Sequence, residues 1–300
     1  MTGSPNSTIL FIGLKGSGKT TFLAALWHLL EAQEILTALR TPVLQPDREY
    51  LNGIRRRWLE FQPMERTGLQ QLHKVSVNVE DRESGRLGSL IFPDISGEVF
   101  RMQWEDREAI ADYFELERSS PGAVLFVHPH GVRRSRRIGW IGDDLGDHDL
   151  EISYSQARAH EHDERSDHPV GQDKNTEDAE WHPRFAPTQV QLVDLIQNYL
   201  QFNEVRPLRL SMVVSAWDLV KDLNPETWFE TRLPLLAQFL YSRRYEIEGH
   251  FFGVSAQGGD LDSQKANLAR LAKASERPIV VEEGKRHSDL TAVVKWALPK

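Results

Sequence analysis

Residues Gly13 to Thr20 read Gly-Leu-Lys-Gly-Ser-Gly-Lys-Thr, fit the spacing G-x-x-x-x-G-K-[ST], and follow the apolar run Ile9-Leu10-Phe11-Ile12. Such a loop after a strand is chemistry for a polyphosphate. Glycine at Gly13, Gly16 and Gly18 lets the backbone N–H groups around Ser17 turn inward onto phosphate oxygens. Lys19 then sets an ammonium on the β and γ phosphates, and Thr20 offers a hydroxyl to Mg2+. Thr21 and the helical run Phe22-Leu23-Ala24-Ala25-Leu26-Trp27 continue the segment, so the loop opens onto the positive end of a helix.

A second group, Asp94-Ile95-Ser96-Gly97-Glu98, follows another apolar run and fits D-x-x-G. Asp94 can hold Mg2+ through water, and the Gly97 amide can report a γ-phosphate because glycine admits close backbone approach. Two further sets stand at strand ends, Ser215-Ala216-Trp217-Asp218 and Ser255-Ala256-Gln257. A carboxylate at Asp218 can accept from the N1–H and 2-amino group of guanine, with the Ala256 amide donating to O6. Adenine offers neither donor on that edge and would leave the carboxylate unpaired, which is a strong source of discrimination.

Holding these groups together takes a parallel α/β sheet. Apolar runs at 8–13, 73–80, 88–93, 122–128, 208–215 and 250–255 predict six strands, and helical stretches fall at 19–37, 98–117, 187–203, 225–244 and 287–298. Turn residues Asp81 to Arg86 join the second and third strands as the one antiparallel hairpin. Between the first helix and second strand, 38–72 is punctuated by Pro42, Pro46, Gly53, Pro63 and Gly68, although 50–61 suits a helix. A long connection at that point is where a nucleotide-sensing loop sits.

Composition narrows the class. The formal charge is −8, which argues against direct nucleic-acid binding. No cysteine is present, so disulfides and cysteine-ligated metals are excluded. No apolar run approaches the roughly 20 residues of a spanning helix, and residues 1–6 lack the basic and apolar regions of a secretory leader, so a cytoplasmic address is the expectation. Acid concentrates in 143–182, where thirteen Asp or Glu face Arg158, Arg165 and Lys174. Such a stretch buries too little apolar surface to offset its ordering entropy, so about 130–186 is expected as an acidic, His-containing, disordered insert. Seven of the eleven histidines lie in or beside it, without the spacing of a metal site.

In this order the motifs resemble the Ras-like, translation-factor-related class of P-loop GTPases, over almost the whole chain. Within it, Asp-Ile-Ser-Gly-Glu at 94–98, Ser-Ala-Trp-Asp at 215–218 and the long insert resemble the bacterial double-GTPase family associated with conflict and defence systems. The resemblance implies an α/β fold: a P-loop GTPase-like three-layer sandwich, six-stranded and mostly parallel with one antiparallel edge hairpin, as a single domain over 1–300. It implies GTP/GDP and Mg2+ as ligands. Gly13, Gly16, Ser17, Gly18, Lys19, Thr20 and Thr21 would hold phosphate, Thr20 and Asp94 the metal, Asp94 and Gly97 the γ-phosphate signal, and Asp218, Ser255 and Ala256 the base.

Four departures bear on activity. Ser215 and Ala216 replace the asparagine and lysine of N-K-x-D, so Trp217 or another apolar surface must supply what the lysine stem gives, or base specificity is relaxed. Glu98 stands where relatives carry a water-orienting glutamine; it either engages the attacking water or caps the helix beginning there. Lys15 either neutralises transition-state charge in cis or faces solvent. The threonine closing over Mg2+ must come from 38–72, and Thr67 is better placed than Thr41, or is an ordinary loop residue. The expected function is a guanine-nucleotide switch with slow Mg2+-dependent GTP hydrolysis, controlling a protein partner or second GTPase; the alternative is a nucleotide-loaded adaptor that does not hydrolyse.

Overall fold

The computed structural model describes residues 8–42, 47–64, 73–94, 97–108, 111–133, 182–220 and 224–299. The strands are β1 (Thr8–Ile12), β2 (Leu39–Arg40), β3 (His73–Asp81), β4 (Leu87–Asp94), β5 (Gly122–Val127), β6 (Leu208–Ser215), β7 (Ile247–Ser255), β8 (Ile279–Glu282) and β9 (Lys285–His287). The α-helices are α1 (Lys19–Ala32), α2 (Arg48–Leu59), α3 (Gly97–Glu105), α4 (Ala111–Ser119), α5 (Thr188–Phe202), α6 (Pro225–Arg232), α7 (Pro234–Ser242), α8 (Leu261–Leu268) and α9 (Thr291–Ala297).

β1 is apolar on both faces: Ile9 and Phe11 enter one core, Leu10 and Ile12 the other. A strand of that kind has to be covered on both sides. Helices α1, α2 and α9 close the first core, and α3, α4, α5, α6 and α7 close the second, giving three layers. The sheet order is β2-β3-β4-β1-β5-β6-β7-β8-β9, with β4, β1, β5, β6 and β7 parallel. Five carboxyl ends therefore meet on one edge, and the chain reverses its direction of winding at β1. Open α/β sheets bind ligands at such a point.

Among the described residues the sheet has nine strands, where six were expected. The three extra strands are short. β2 has two residues, β9 is the polar triplet Lys285-Arg286-His287, and β8 is a brief apolar run ended by Glu283-Gly284. They pair antiparallel at the two ends of the sheet, so β3 and β4 form the expected hairpin but lie inside β2 rather than at the edge. Edge strands this short carry little hydrophobic pattern, because only one neighbour and one face constrain them.

Two expected helices are each broken in two. Pro234 lacks the N–H needed to continue α6, and the chain restarts as α7. Past α3, Arg107 takes a left-handed conformation (φ 57°) before α4 begins. The segment 38–72 holds β2 and α2. Along α1 every residue from Phe22 to Leu30 is buried, which no single sheet face can achieve. α2 lies across its outer side, where Trp27 Nε1 donates to Asn52 Oδ1 at 3.0 Å and Arg55 Nε donates to His28 Nδ1 at 3.2 Å. Of the expected insert, 130–133 and 182–186 flank the fold, the Arg133 guanidinium donating to the Arg184 carbonyl, and 134–181 lies outside the described residues. Among the described residues no helix is long and apolar enough to cross a membrane.

Candidate functional site

The glycine loop leaves β1 at Gly13 and enters α1 at Lys19, and two of its positions have to be glycine. Gly13 has φ 145°, and a β-carbon there would stand 2.6 Å from the Phe126 carbonyl oxygen. Gly18 has φ 90°, caps α1, and would bring a β-carbon 3.1 Å from Ser215 Cβ. The Ser17 N–H donates to the Leu14 carbonyl at 3.2 Å and closes the turn. Lys19 reaches back across it, its ammonium donating to the carbonyls of Gly13 (2.6 Å) and Leu14 (3.1 Å) and to Ser17 Oγ (3.2 Å). The same ammonium lies 5.4 Å from the centroid of Phe100 on α3, so the charge of the loop sits against the helix that begins at Gly97. Thr20 is partly exposed at the start of α1, and Lys15 is exposed on the loop.

Four phenylalanines floor the loop. Phe11 stacks on Phe92 (3.7 Å between centroids) and on Phe126 (5.8 Å), and Phe22 meets Phe126 edge-on at 5.1 Å. They tie β1, β4, β5 and α1 together just below their upper ends. Aromatic pairs of this kind add about 0.5–1.5 kcal/mol each beyond burial.

Register positions the remaining motifs. Leu10 pairs with Ile91, so Gly13 and Asp94, three residues further on adjacent strands, leave the sheet at a similar height. Gly97 and Glu98 are the first two residues of α3. Thr67 lies outside the described residues.

β6 ends at Ser215, whose hydroxyl donates to the Val127 carbonyl at 3.3 Å. Ala216 is left-handed (φ 46°), and Trp217–Leu219 form a 3-10 turn that carries Asp218. Trp217 does not supply the missing lysine stem. Its indole is buried against Gly253 of β7, where a β-carbon would approach the ring to 2.3 Å. β7 ends at Ser255, whose Oγ accepts from the Gly258 N–H at 3.1 Å. The Ala256 carbonyl accepts from Trp58 Nε1 at 3.1 Å.

These ends enclose one cleft of about 350 Å³. Gly18 and Thr21 line one part of it, and Ala216, Asp218, Ser255 and Ala256 line another. Gly13, Gly16, Ser17, Lys19 and Thr20 form the adjoining loop rather than its wall. Sequence reasoning missed several contributors to the lining: His128, the run Gln62-Pro63-Met64, Leu219, and Gly259-Asp260-Leu261 beyond β7. His128 directly follows β5, a position that by the register of a parallel sheet faces the same edge. Residues 62–64 carry no local signal.

Burial pulls the His128 imidazole below its usual range, His130 adds to this and Asp218 opposes it. Its Nδ1 accepts from the His130 N–H at 3.2 Å, so the neutral ring carries its proton on Nε2. His128 and Asp218 thus line the same cleft, close enough to interact electrostatically.

The profile of the Double-GTPase 1 family matches residues 10–297. No curated protein gives a significant match. Similar solved structures include the signal recognition particle receptor SRb-GTP/SRX complex from Chaetomium thermophilum, 13% identical over 84% of this chain and 91% of that one, with a TM-score of 0.38. The bacterial selenocysteine-specific elongation factor EF-Sec is 12% identical over 90% of this chain and 30% of its own, with a TM-score of 0.36. The GTP-bound S. cerevisiae Ski7 GTPase-like domain is 17% identical over 85% and 43%, with a TM-score of 0.38. The chain thus spans less than half the length of the last two.

Proposed function

The chain belongs to the Double-GTPase 1 family, and from that premise we propose that it is a guanine-nucleotide switch with slow, Mg2+-dependent GTP hydrolysis. What carries this reading is the shared cleft: Gly18 and Thr21, at the phosphate loop, and Asp218 with Ala256, from the base loops, line the same space. A nucleotide spanning it would have its phosphates at the N-terminus of α1 and its base at the Asp218 carboxylate.

Each residue then has a chemical task. Backbone amides from 13 to 20 wrap the phosphates, and Lys19 exchanges its bonds to the Gly13 and Leu14 carbonyls for phosphate oxygens. Such an exchange trades carbonyl acceptors for charged ones, which bind an ammonium more strongly. Asp218 accepts from the guanine N1–H and 2-amino group, and the Ala256 amide donates to O6.

Thr20 through its hydroxyl and Asp94 through water would hold Mg2+. A hydroxyl and a water-linked carboxylate beside phosphate oxygens would suit the oxygen ligands this ion takes, and the ion would neutralise charge on the β and γ phosphates. Gly97 senses the γ-phosphate at the head of α3, so its loss frees that helix. Glu98 positions the water or caps α3, Lys15 offsets transition-state charge, and Thr67 closes the 38–72 segment over the ion. A protein partner or a second GTPase reads the ordered surface and accelerates turnover, since isolated switch GTPases run about 10³ to 10⁵ slower than activated ones.

Phosphate release from GTP and from ATP, each with and without Mg2+, tests the proposal. Slow release from GTP with Mg2+ is the expected result, and a preference for ATP overturns the base assignment. The rival reading, an adaptor that binds without turnover, draws on Glu98 and Ala216. Tight calorimetric binding of GTP with flat single-turnover kinetics selects it.

A further inference from the structure

The end of α2 and the residues after it lie against the Ala256 loop and line the cleft. α2 ends in a tight left-handed turn. Phe61 has φ 58°, its N–H donates to the Trp58 carbonyl at 3.3 Å, and the Gln62 N–H donates to the Arg57 carbonyl at 2.8 Å. That pair of bonds is the Schellman closure, which normally takes glycine at the left-handed position. A phenylalanine there costs about 1–2 kcal/mol and persists only when its surroundings fix it. Here they do: the Arg277 guanidinium lies 4.1 Å from the Phe61 ring centroid, with Lys265 at 5.7 Å. The turn aims Gln62, Pro63 and Met64 into the cleft wall.

Trp58, fully buried one turn earlier, grips the base loop from behind. Its Nε1 donates to the Ala256 carbonyl, and its ring faces Arg277 at 5.0 Å. Arg277 in turn donates to the Trp58 and Leu59 carbonyls, and its own backbone presses on Gly258, where a β-carbon would stand 2.2 Å from the Arg277 carbonyl. One helix end thus supports the Ala256 loop and supplies part of the wall beside it.

We propose that α2 and the strap Gln62–Met64 act as a nucleoside clamp: Trp58 fixes the Ala256 loop while Pro63 and Met64 give the nucleoside the apolar contact that Ala216 is too short to provide. This rests on the reading of the cleft as a guanine-nucleotide site. It makes Met64 a specificity-determining residue and Trp58 a positioning residue, and it divides the 38–72 segment into a base-side part and a remainder.

The test is calorimetry with GDP, ADP and inorganic pyrophosphate on the wild-type chain, Met64→Ala and Trp58→Phe, each checked for an unchanged melting profile. For Met64→Ala the GDP Kd rises about tenfold and the pyrophosphate Kd stays put, because pyrophosphate has no nucleoside to clamp. For Trp58→Phe, which keeps an aromatic ring and loses the bond to Ala256, the preference for GDP over ADP falls at least about fivefold. Unchanged GDP affinity in Met64→Ala, or equal losses for GDP and pyrophosphate, overturns the clamp alone. Should Trp58→Phe fail to fold, Met64→Ala decides. Absence of GDP binding to the wild-type chain removes the clamp together with the function it rests on.

Discussion

Gly18 of the glycine loop lies against Ser215 at the end of β6, so closely that a β-carbon on Gly18 would come within 3.1 Å of Ser215 Cβ and 3.2 Å of its Oγ. The two residues are separated by nearly two hundred residues of chain, yet there is no free space for a side chain between them.

Gly18→Ala therefore meets two penalties. The left-handed φ of 90° costs an alanine about 1–2 kcal/mol, and Ser215 has to shift. The expected outcome is a melting temperature lower by several degrees and GDP affinity reduced at least about tenfold, measured by thermal denaturation and calorimetry. Retention of both would show that Ser215 gives way freely.

Asp218→Asn exchanges an acceptor for a donor on the base side of the cleft. GTP affinity should fall about 10²-fold while xanthosine triphosphate gains, since its 2-oxo group matches the new amide. Competition between the two nucleotides measures the ratio directly, and an unmoved ratio would detach residue 218 from the base.

Glu117 is fully buried on α4, beside Tyr113 and facing Gln103 of α3, and burial raises its carboxyl from 4.5 to about 7, the two neighbours only partly offsetting this. The folded chain thus keeps a proton that the unfolded chain loses above about 4.5. The stabilising effect is full below that value and is lost as pH climbs to about 7, by about 3 kcal/mol in all. His28, whose imidazole burial pushes below 6.5, acts in the opposite sense, since its contribution is lost as pH falls. Comparing the wild-type chain with Glu117→Gln cancels the histidine. The variant should gain stability relative to wild type as pH rises from 5.5 to 7.5 in urea titrations, and parallel curves would mean that Glu117 is ionised in the fold.

Gly253→Ala drives a β-carbon to 2.3 Å from the Trp217 ring. Overpacking of this kind costs about 1–3 kcal/mol, and because Trp217 adjoins Asp218 the displacement should also weaken GDP binding. Urea midpoints and calorimetry on the same preparation report both effects.

Much of the site was legible in the sequence because its parts are local. The glycine loop, Asp94-to-Gly97 and the two base loops each declare themselves within a few residues, next to apolar runs long enough to be strands. The strands β1 and β5 were equally plain, since a strand covered on both faces is largely apolar, and β6 still showed through Met212-Val213-Val214 despite its buried Arg209 and Ser211. The short edge strands were not, and neither was the break at Arg107, where the chain turns left-handed without a glycine to announce it. The choice between Trp217 and another apolar surface could not be made from sequence, because only Gly253 on the neighbouring strand reveals that the indole is packed away.

The sequence by itself determined that amides and an ammonium converge at residues 13 to 20 and that the carboxyl ends of parallel strands bring other polar groups to the same edge, because strand and loop chemistry act over a few consecutive residues. Only the tertiary structure decided which distant segments close the space between them. Trp58 and Ala256 are 198 residues apart. Their bond exists because α1 is too apolar to be left uncovered, so α2 has to lie across it, and the end of α2 then falls beside the base loop.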